Sequence, residues 1–306
     1  MKIRNKNLKI IAGPCSVSKN NIKDIYEIAD LKINNQRVIW GLRVVGLKSR
    51  TNFVKDGKGM GMDFKDYVNS LRKIIRNKNF KYLKIFNSVK LAQKIYQDTK
   101  LLLATEIIDP LIQPALYEKI IPADKLLLWN PAVSQLGWPI WVMSQYIKRN
   151  RWYLGLKNPK WVGDYLKNVN NLHYQERTTM EKTWEGLVSY ADLPRERIIL
   201  IHRGVDVAEK KNYRNAPVHY LAWKVKKHSG CLLFFDPSHS HGPQMREKIL
   251  PATIKAMKMM IDNEYLYDGI LIEVGNSETD TEQHITLKEL RILCYELSKF
   301  RKLEMS

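Results

Sequence analysis

CLLFFDPS (231–238) is an apolar run of strand length that ends in an acid, a proline and a serine, and HSHG (239–242) follows at once. Seven further runs have the same character: LKIIAGP (8–14), RVIWGLRVV (37–45), LLLATEI (101–107), KLLLWNPA (125–132), WYLGLKN (152–158), RIILIHRG (197–204) and GILIEV (269–274). Each is short, nearly continuous in Ile, Leu, Val or aromatics, and free of the 3.6-residue spacing of a surface helix, so each reads as a buried strand. Between them lie stretches such as NIKDIYEIADLK (21–32) and LKELRILCYELSKF (287–300), whose apolar residues recur at helical spacing. Eight buried strands alternating with helices predict a parallel sheet covered by helices. Eight is also the number that closes a (β/α)8 TIM barrel, a fold of about 250 residues. An open doubly wound sheet would be expected to carry a glycine-rich phosphate turn after an early strand, and no GxGxxG or GxxxxGK occurs.

The polar residues fall in register with this reading. Nearly every apolar run ends in a reactive group: Cys15, Arg43 with Lys48, Glu106, Lys157, His202 with Arg203, Asp236 with His239, and Glu273. In a TIM barrel the C-terminal ends of the strands converge on one mouth, where active sites sit. Taken singly, a cysteine after a strand is a small buried residue and an arginine there is a surface charge. Seven such coincidences predict a site. Cys15, His239 and Glu273, with Asp280 just beyond, offer one thiolate, one imidazole and two carboxylates, a set suited to Mn, Fe, Zn or Co rather than Mg or Ca. Spacing alone does not establish such a centre. His241 rivals His239, and its place two residues later puts it in the expected loop. Arg43, Lys48, Arg50, Lys157, Arg203 and Arg214 would ring the same mouth, a pattern suited to anionic substrates.

Composition sets the remaining bounds. The 306 residues are 44% apolar, enough for a large core, and carry a formal charge of +20. That charge fits anionic partners, or a solvated surface rich in lysine throughout. Basic residues are scattered and no nucleic-acid module is evident, so RNA or DNA is not expected as the main partner. No run of about 18 apolar residues predicts a membrane span. Cys15, Cys231 and Cys294 are too few and too widely spaced for a disulfide framework. A cytoplasmic protein is expected.

Several stretches, in order, resemble one family: AGPCS (12–16), RxxxxKSRT (43–51), ATE (104–106), LKNP (156–159), IHRG (201–204), KKNYRN (210–215), DPSH (236–239) and IEV (272–274). The chain resembles the class I 3-deoxy-7-phosphoheptulonate (DAHP) synthases, most of all the bacterial form often fused to chorismate mutase, from about residue 8 to residue 290. AGPCS and DPSH are shared with the 3-deoxy-octulosonate 8-phosphate synthases, whereas KSRT is closer to the KPRT of the heptulonate enzymes. The resemblance implies one barrel over 1–306 with no mutase or regulatory domain, a homo-oligomer, and condensation of phosphoenolpyruvate with erythrose 4-phosphate, the first step towards aromatic amino acids. By the same resemblance, Cys15, His239, Glu273 and Asp280 hold one divalent metal. Arg43, Lys48, Lys157 and Arg203 bind phosphoenolpyruvate, while Arg50, Thr51 and Asp236 bind the acceptor, and Glu106 joins the substrate pocket. Lys48, crowded by cations that would depress its pKa, is the implied proton donor.

Three departures mark this chain. Where the family carries GAR[TN] after its fourth strand, this sequence reads WNPAVSQ, with Val133 in place of the arginine. Loss of such a charge-assisted contact costs roughly 1.5–3 kcal/mol, and Arg149 or Arg151 are the candidates to compensate. The stretch EVGNSETD (273–280) is shorter than the family spacing, leaving Glu278 to compete with Asp280 as fourth ligand. Finally, KSRT lacks the usual proline. The segment 129–143, with three Trp and two Pro, is open to two readings: an apolar patch at a subunit interface, or a remodelled pocket. Two rival functions stay open, a sibling synthase acting on another sugar phosphate and a non-catalytic barrel that binds phospho-ligands or RNA.

Overall fold

A computed structural model describes residues 6–49, 60–79, 86–161, 178–207, 210–277, 279 and 281–305. All eight apolar runs are strands: β1 (Asn7–Gly13), β2 (Gly41–Arg43), β3 (Leu102–Glu106), β4 (Leu126–Trp129), β5 (Tyr153–Lys157), β6 (Ile198–His202), β7 (Leu232–Phe235) and β8 (Gly269–Glu273). Each pairs in parallel with the next, and β8 pairs with β1 in the register Gly13↔Glu273, so the sheet closes as the expected (β/α)8 barrel. A ninth strand, β9 (Lys302–Glu304), runs parallel beside the start of β1, with Asn7 opposite Lys302.

The helices are α1 (Ile22–Ala29), α2 (Phe64–Asn77), α3 (Asn87–Thr99), α4 (Gln113–Glu118), α5 (Gly137–Asn150), α6 (Thr179–Ala191), α7 (His219–Ser229), α8 (Pro237–His241), α9 (Ile249–Lys258) and α10 (Leu287–Ser298). No described helix is long and apolar enough to cross a membrane. Cys15, Cys231 and Cys294 are buried thiols rather than disulfides.

Strand side chains alternate between the two faces of a sheet, and here both faces are apolar, which is why the strands read as continuous hydrophobic runs. Leu102, Ala104, Leu127, Trp129, Ile199, Ile201, Phe234 and Leu271 pack together inside the barrel. Leu103, Leu126, Leu128, Ile198, Leu200, Leu233 and Ile272 belong to the larger core under the helices. This phase decides where each strand-end residue points. Glu106 continues Leu102 and Ala104, Arg203 continues Ile199 and Ile201, Asp236 continues Phe234, and Glu273 continues Leu271. His202 is out of phase and belongs to the outer layer.

Candidate active site

The inward phase gathers ionised groups at the C-terminal mouth. Arg43, Glu273 and Asp236 are fully buried there, and Lys48, Glu106, Lys157, Arg203 and His239 nearly so. They are arranged as pairs. Arg43 Nη2 donates to Glu273 Oε1 at 2.9 Å, and Lys48 Nζ to Glu106 Oε2 at 3.1 Å. Lys157 Nζ lies 3.3 Å from Asp236 Oδ2. Such pairing is what lets charge persist where water is excluded. Burial alone would raise Glu106, but Lys48 and Lys157 hold it down at about 2. Burial would likewise raise Asp236 and Glu273; His239 with Lys157 lowers the first, and His239 with Arg43 the second. Lys157 is lowered, chiefly by burial.

Lys48 corrects one expectation. Burial does favour its neutral form, yet the negative charges of Cys15, Glu106 and Glu273 outweigh it, so its pKa lies above the ordinary lysine value instead of below. Lys48 is a fixed positive charge at neutral pH.

A cavity of about 220 Å³ opens above these pairs. Lys48, Glu106, Lys157, Arg203 and His239 line it, with Ser49, Arg214 and Asn215. Ala132 and Val133 line it too, as do Lys160, Asp206 and Lys210. Arg43, Cys15, Asp236 and Glu273 do not line the cavity. Arg203 is set apart from the other cations: among the described residues its guanidinium has no hydrogen bond or ion pair. Burial and the nearby Arg214 bring it down to about 10, still charged at neutral pH.

Two asparagines fix the backbone beneath the lysine and the arginine. Asn130 Oδ1 accepts from the Lys157 N–H at 2.9 Å, and Asn158 Oδ1 from the Arg203 N–H at 2.8 Å. Asn158 Nδ2 also donates to the carbonyl of Gly204 at 3.0 Å. Gly204 has φ +81°, and an added Cβ would stand 2.3 Å from the Asn215 carbonyl oxygen, so only glycine can follow Arg203 here. Sequence reasoning passed over both asparagines, although each opens an Asn-Pro pair directly after a strand.

His239 and His241 lie not in a loop but on α8, which Asp236 caps by accepting from the His239 N–H at 3.2 Å. His239 Nδ1 lies 2.9 Å from Asp236 Oδ2, and its Nε2 lies 3.6 Å from Glu273 Oε1. His241 instead turns its Nδ1 to the Pro237 carbonyl at 3.1 Å and packs on Tyr213. Among the described residues no three of His, Cys, Asp and Glu converge closely enough to hold a metal ion. Two expected ligands do meet in a compatible way. Donors on one tetrahedral ion at about 2.1 Å would stand about 3.4 Å apart, near the observed His239–Glu273 separation. A carboxylate on Nδ1 is also the usual orienter of an imidazole that ligates through Nε2. Cys15 is buried close enough for its charge to act on Lys48. Arg50, Thr51, Glu278 and Asp280 lie outside the described residues.

Arg149 and Arg151 do not compensate for Val133. Arg149 pairs with Glu118 at 3.2 Å, and Arg151, the residue capping α5 before β5 begins, pairs with Asp124 at the opposite end of the barrel. The tryptophan-rich segment divides between its two readings. Trp129 is buried inside the barrel with Arg43 and Lys157 over its ring, whereas Trp138 and Trp141 are exposed on α5.

No protein-family model and no curated protein matches the chain. Among solved structures it is similar to a phospho-2-dehydro-3-deoxyheptonate aldolase (DAHP synthase) from Thermotoga maritima, with a TM-score of 0.68 and 18% identity, covering 100% of this chain and 73% of that one. At that identity the likeness bears on the fold.

Proposed function

We propose that this barrel is a DAHP synthase, condensing phosphoenolpyruvate with erythrose 4-phosphate to give a seven-carbon 3-deoxy sugar phosphate and inorganic phosphate. The observation that carries the reading is Arg203: a buried guanidinium on the cavity, without a described carboxylate partner, is a site for an anionic group of a substrate. The sequence resemblance and the shared fold point the same way.

In this reading Arg203 and Lys157 hold the phosphate of phosphoenolpyruvate, placed by their asparagine supports. C3 of phosphoenolpyruvate bonds to the aldehyde carbon with the electron pair of the C2–C3 double bond, and water adds at C2. The proton that water gives up is balanced by the one the aldehyde oxygen takes, and the bond from C2 to the phosphate oxygen breaks to leave the C2 ketone and inorganic phosphate. Lys48, kept charged and oriented by Glu106, stabilises negative charge developing at the reacting oxygens. Arg43 acts from beneath by holding Glu273. Asp236 orients His239 and Lys157 rather than meeting the acceptor directly. A divalent metal held by Cys15, His239, Glu273 and Asp280 would supply Lewis-acid polarisation of the aldehyde. Arg50 and Thr51 would hold the acceptor phosphate.

Phosphate release from phosphoenolpyruvate with Mn(II), with and without erythrose 4-phosphate, followed by mass analysis, tests this. Acceptor-dependent release and a seven-carbon product are expected; release indifferent to the acceptor would refute it. A second reading, a sibling synthase for another aldose phosphate, is favoured by Val133, an uncharged residue 45% exposed on the cavity wall. The same assay with other aldose phosphates decides between them.

A further inference from the structure

Lys160, Asp206 and Lys210 share the cavity with Arg203 and Val133, and no part of the reaction above uses them. They are a built cluster, not loose surface charges. The Asp206 N–H donates to the Lys160 carbonyl at 2.7 Å, tying the segment after β5 to the segment after β6. The two carboxylate oxygens of Asp206 are divided: Oδ2 lies 3.3 Å from Lys160 Nζ, and Oδ1 meets Lys210 Nζ. Two ammonium groups therefore converge on one carboxylate, with Arg203 within its electrostatic reach. Lys160 Nζ also sits 5.0 Å from the ring centre of Trp161, which is 57% exposed.

We propose that Lys160 and Lys210 join Arg203 in gripping one phosphomonoester, and that Asp206 is a place-holder whose carboxylate the phosphate displaces. The proposal deepens the reading under Proposed function and rests on it. Two oxygens of a phosphate are spaced much like those of a carboxylate, so the spot that Asp206 bridges is one a phosphate can bridge. A dianion there satisfies two ammonium groups better than a single carboxylate shared between them. Ala132 and Val133, which line the same cavity, contribute no charge to such a grip. Lysines suit the role because a flexible ammonium can transfer from one oxygen pair to another, as a rigid guanidinium fork cannot. If the cluster were an ordinary half-exposed salt bridge, it would be close to neutral in energy and indifferent to phosphate.

The test is calorimetric titration of the full chain with inorganic phosphate and with phosphoenolpyruvate, in the wild type and in Lys160→Ala, Lys210→Ala, Asp206→Asn and Arg203→Ala. Each lysine variant is expected to weaken both ligands about tenfold, one lost charge-assisted contact. Asp206→Asn, which frees two cations, is expected to tighten both. Phosphate should also shift Trp161 emission as Lys160 leaves its ring, a change absent from Lys160→Ala and from a Trp161→Phe control. If Arg203→Ala loses binding while the lysine variants and Asp206→Asn match the wild type, this proposal falls and the cavity reading stands. If wild type binds neither ligand, or no variant differs from it, both fall.

Discussion

His202 and Arg203 are consecutive residues with opposite fates. Arg203 faces the barrel mouth, where charge survives burial by being paired with, or offered to, an opposite charge. His202 faces outward into the layer under the helices, where charge is removed. Its Nδ1 lies 2.7 Å from Tyr267 Oη, and His219 Nδ1 lies 2.6 Å from the same oxygen. The single hydroxyl donates to one ring and accepts from the other, so the ring that accepts its proton must have a bare Nδ1 and be neutral; both rings cannot be charged at once. Burial, reinforced by the neighbouring His219, keeps His202 well below the ordinary histidine value; burial, with His241 and Lys255, brings His219 to about 4. Burial thus gives two answers within one strand end: pair the ion, or discharge it.

The comparison breaks first at Arg43. Arg43→Ala would leave Glu273 as a buried charge without its guanidinium, and should cost about 3–5 kcal/mol in urea unfolding; a loss under about 1 kcal/mol would mean the mouth does not depend on its ion pairs. Tyr267→Phe comes next. It strands one nitrogen of each imidazole and should cost about 1–3 kcal/mol, without altering anion binding at the mouth. A third test is the pH dependence of the discharged cluster. A histidine whose folded pKa is depressed takes up its proton more readily when unfolded, so its stabilisation is present above about 6.5 and lost as pH falls towards about 4. Urea midpoints between pH 7.5 and 4.5 should fall more steeply in the wild type than in His219→Gln, and equal slopes would remove the cluster as an acid-sensitive element.

The strands were legible because both faces of a parallel barrel strand are apolar, so each announces itself as an uninterrupted run. The site was legible in outline for the same reason: a residue placed directly after an apolar run must sit at that strand's end. Direction was harder. His202 looked like a mouth residue, although counting by twos from Ile199 and Ile201 puts it on the other face and Arg203 inside. The helix PSHSH is too short for any periodicity, and its cap by Asp236 needs the backbone to be seen. The charge state of Lys48 depends on three acids from elsewhere in the chain, Cys15, Glu106 and Glu273, whose approach no local spacing encodes. Lys160, Asp206 and Lys210 meet only because β5 and β6 are neighbours, and Arg149 and Arg151 fail at the mouth because α5 ends at the opposite end of the barrel.

The ninth strand has a mechanical meaning. Asn7–Lys9 and Lys302–Glu304 run parallel, one entering the barrel and the other following α10. Traction on the two sides of this seam, applied through the flanking chain, pulls the strands in opposite directions along their length. Its hydrogen bonds are then loaded together, in shear, instead of opening singly as in a zipper. A tether drawn between the two ends should meet its resistance at this clasp, with the mouth at the far end of the barrel shielded until it slips.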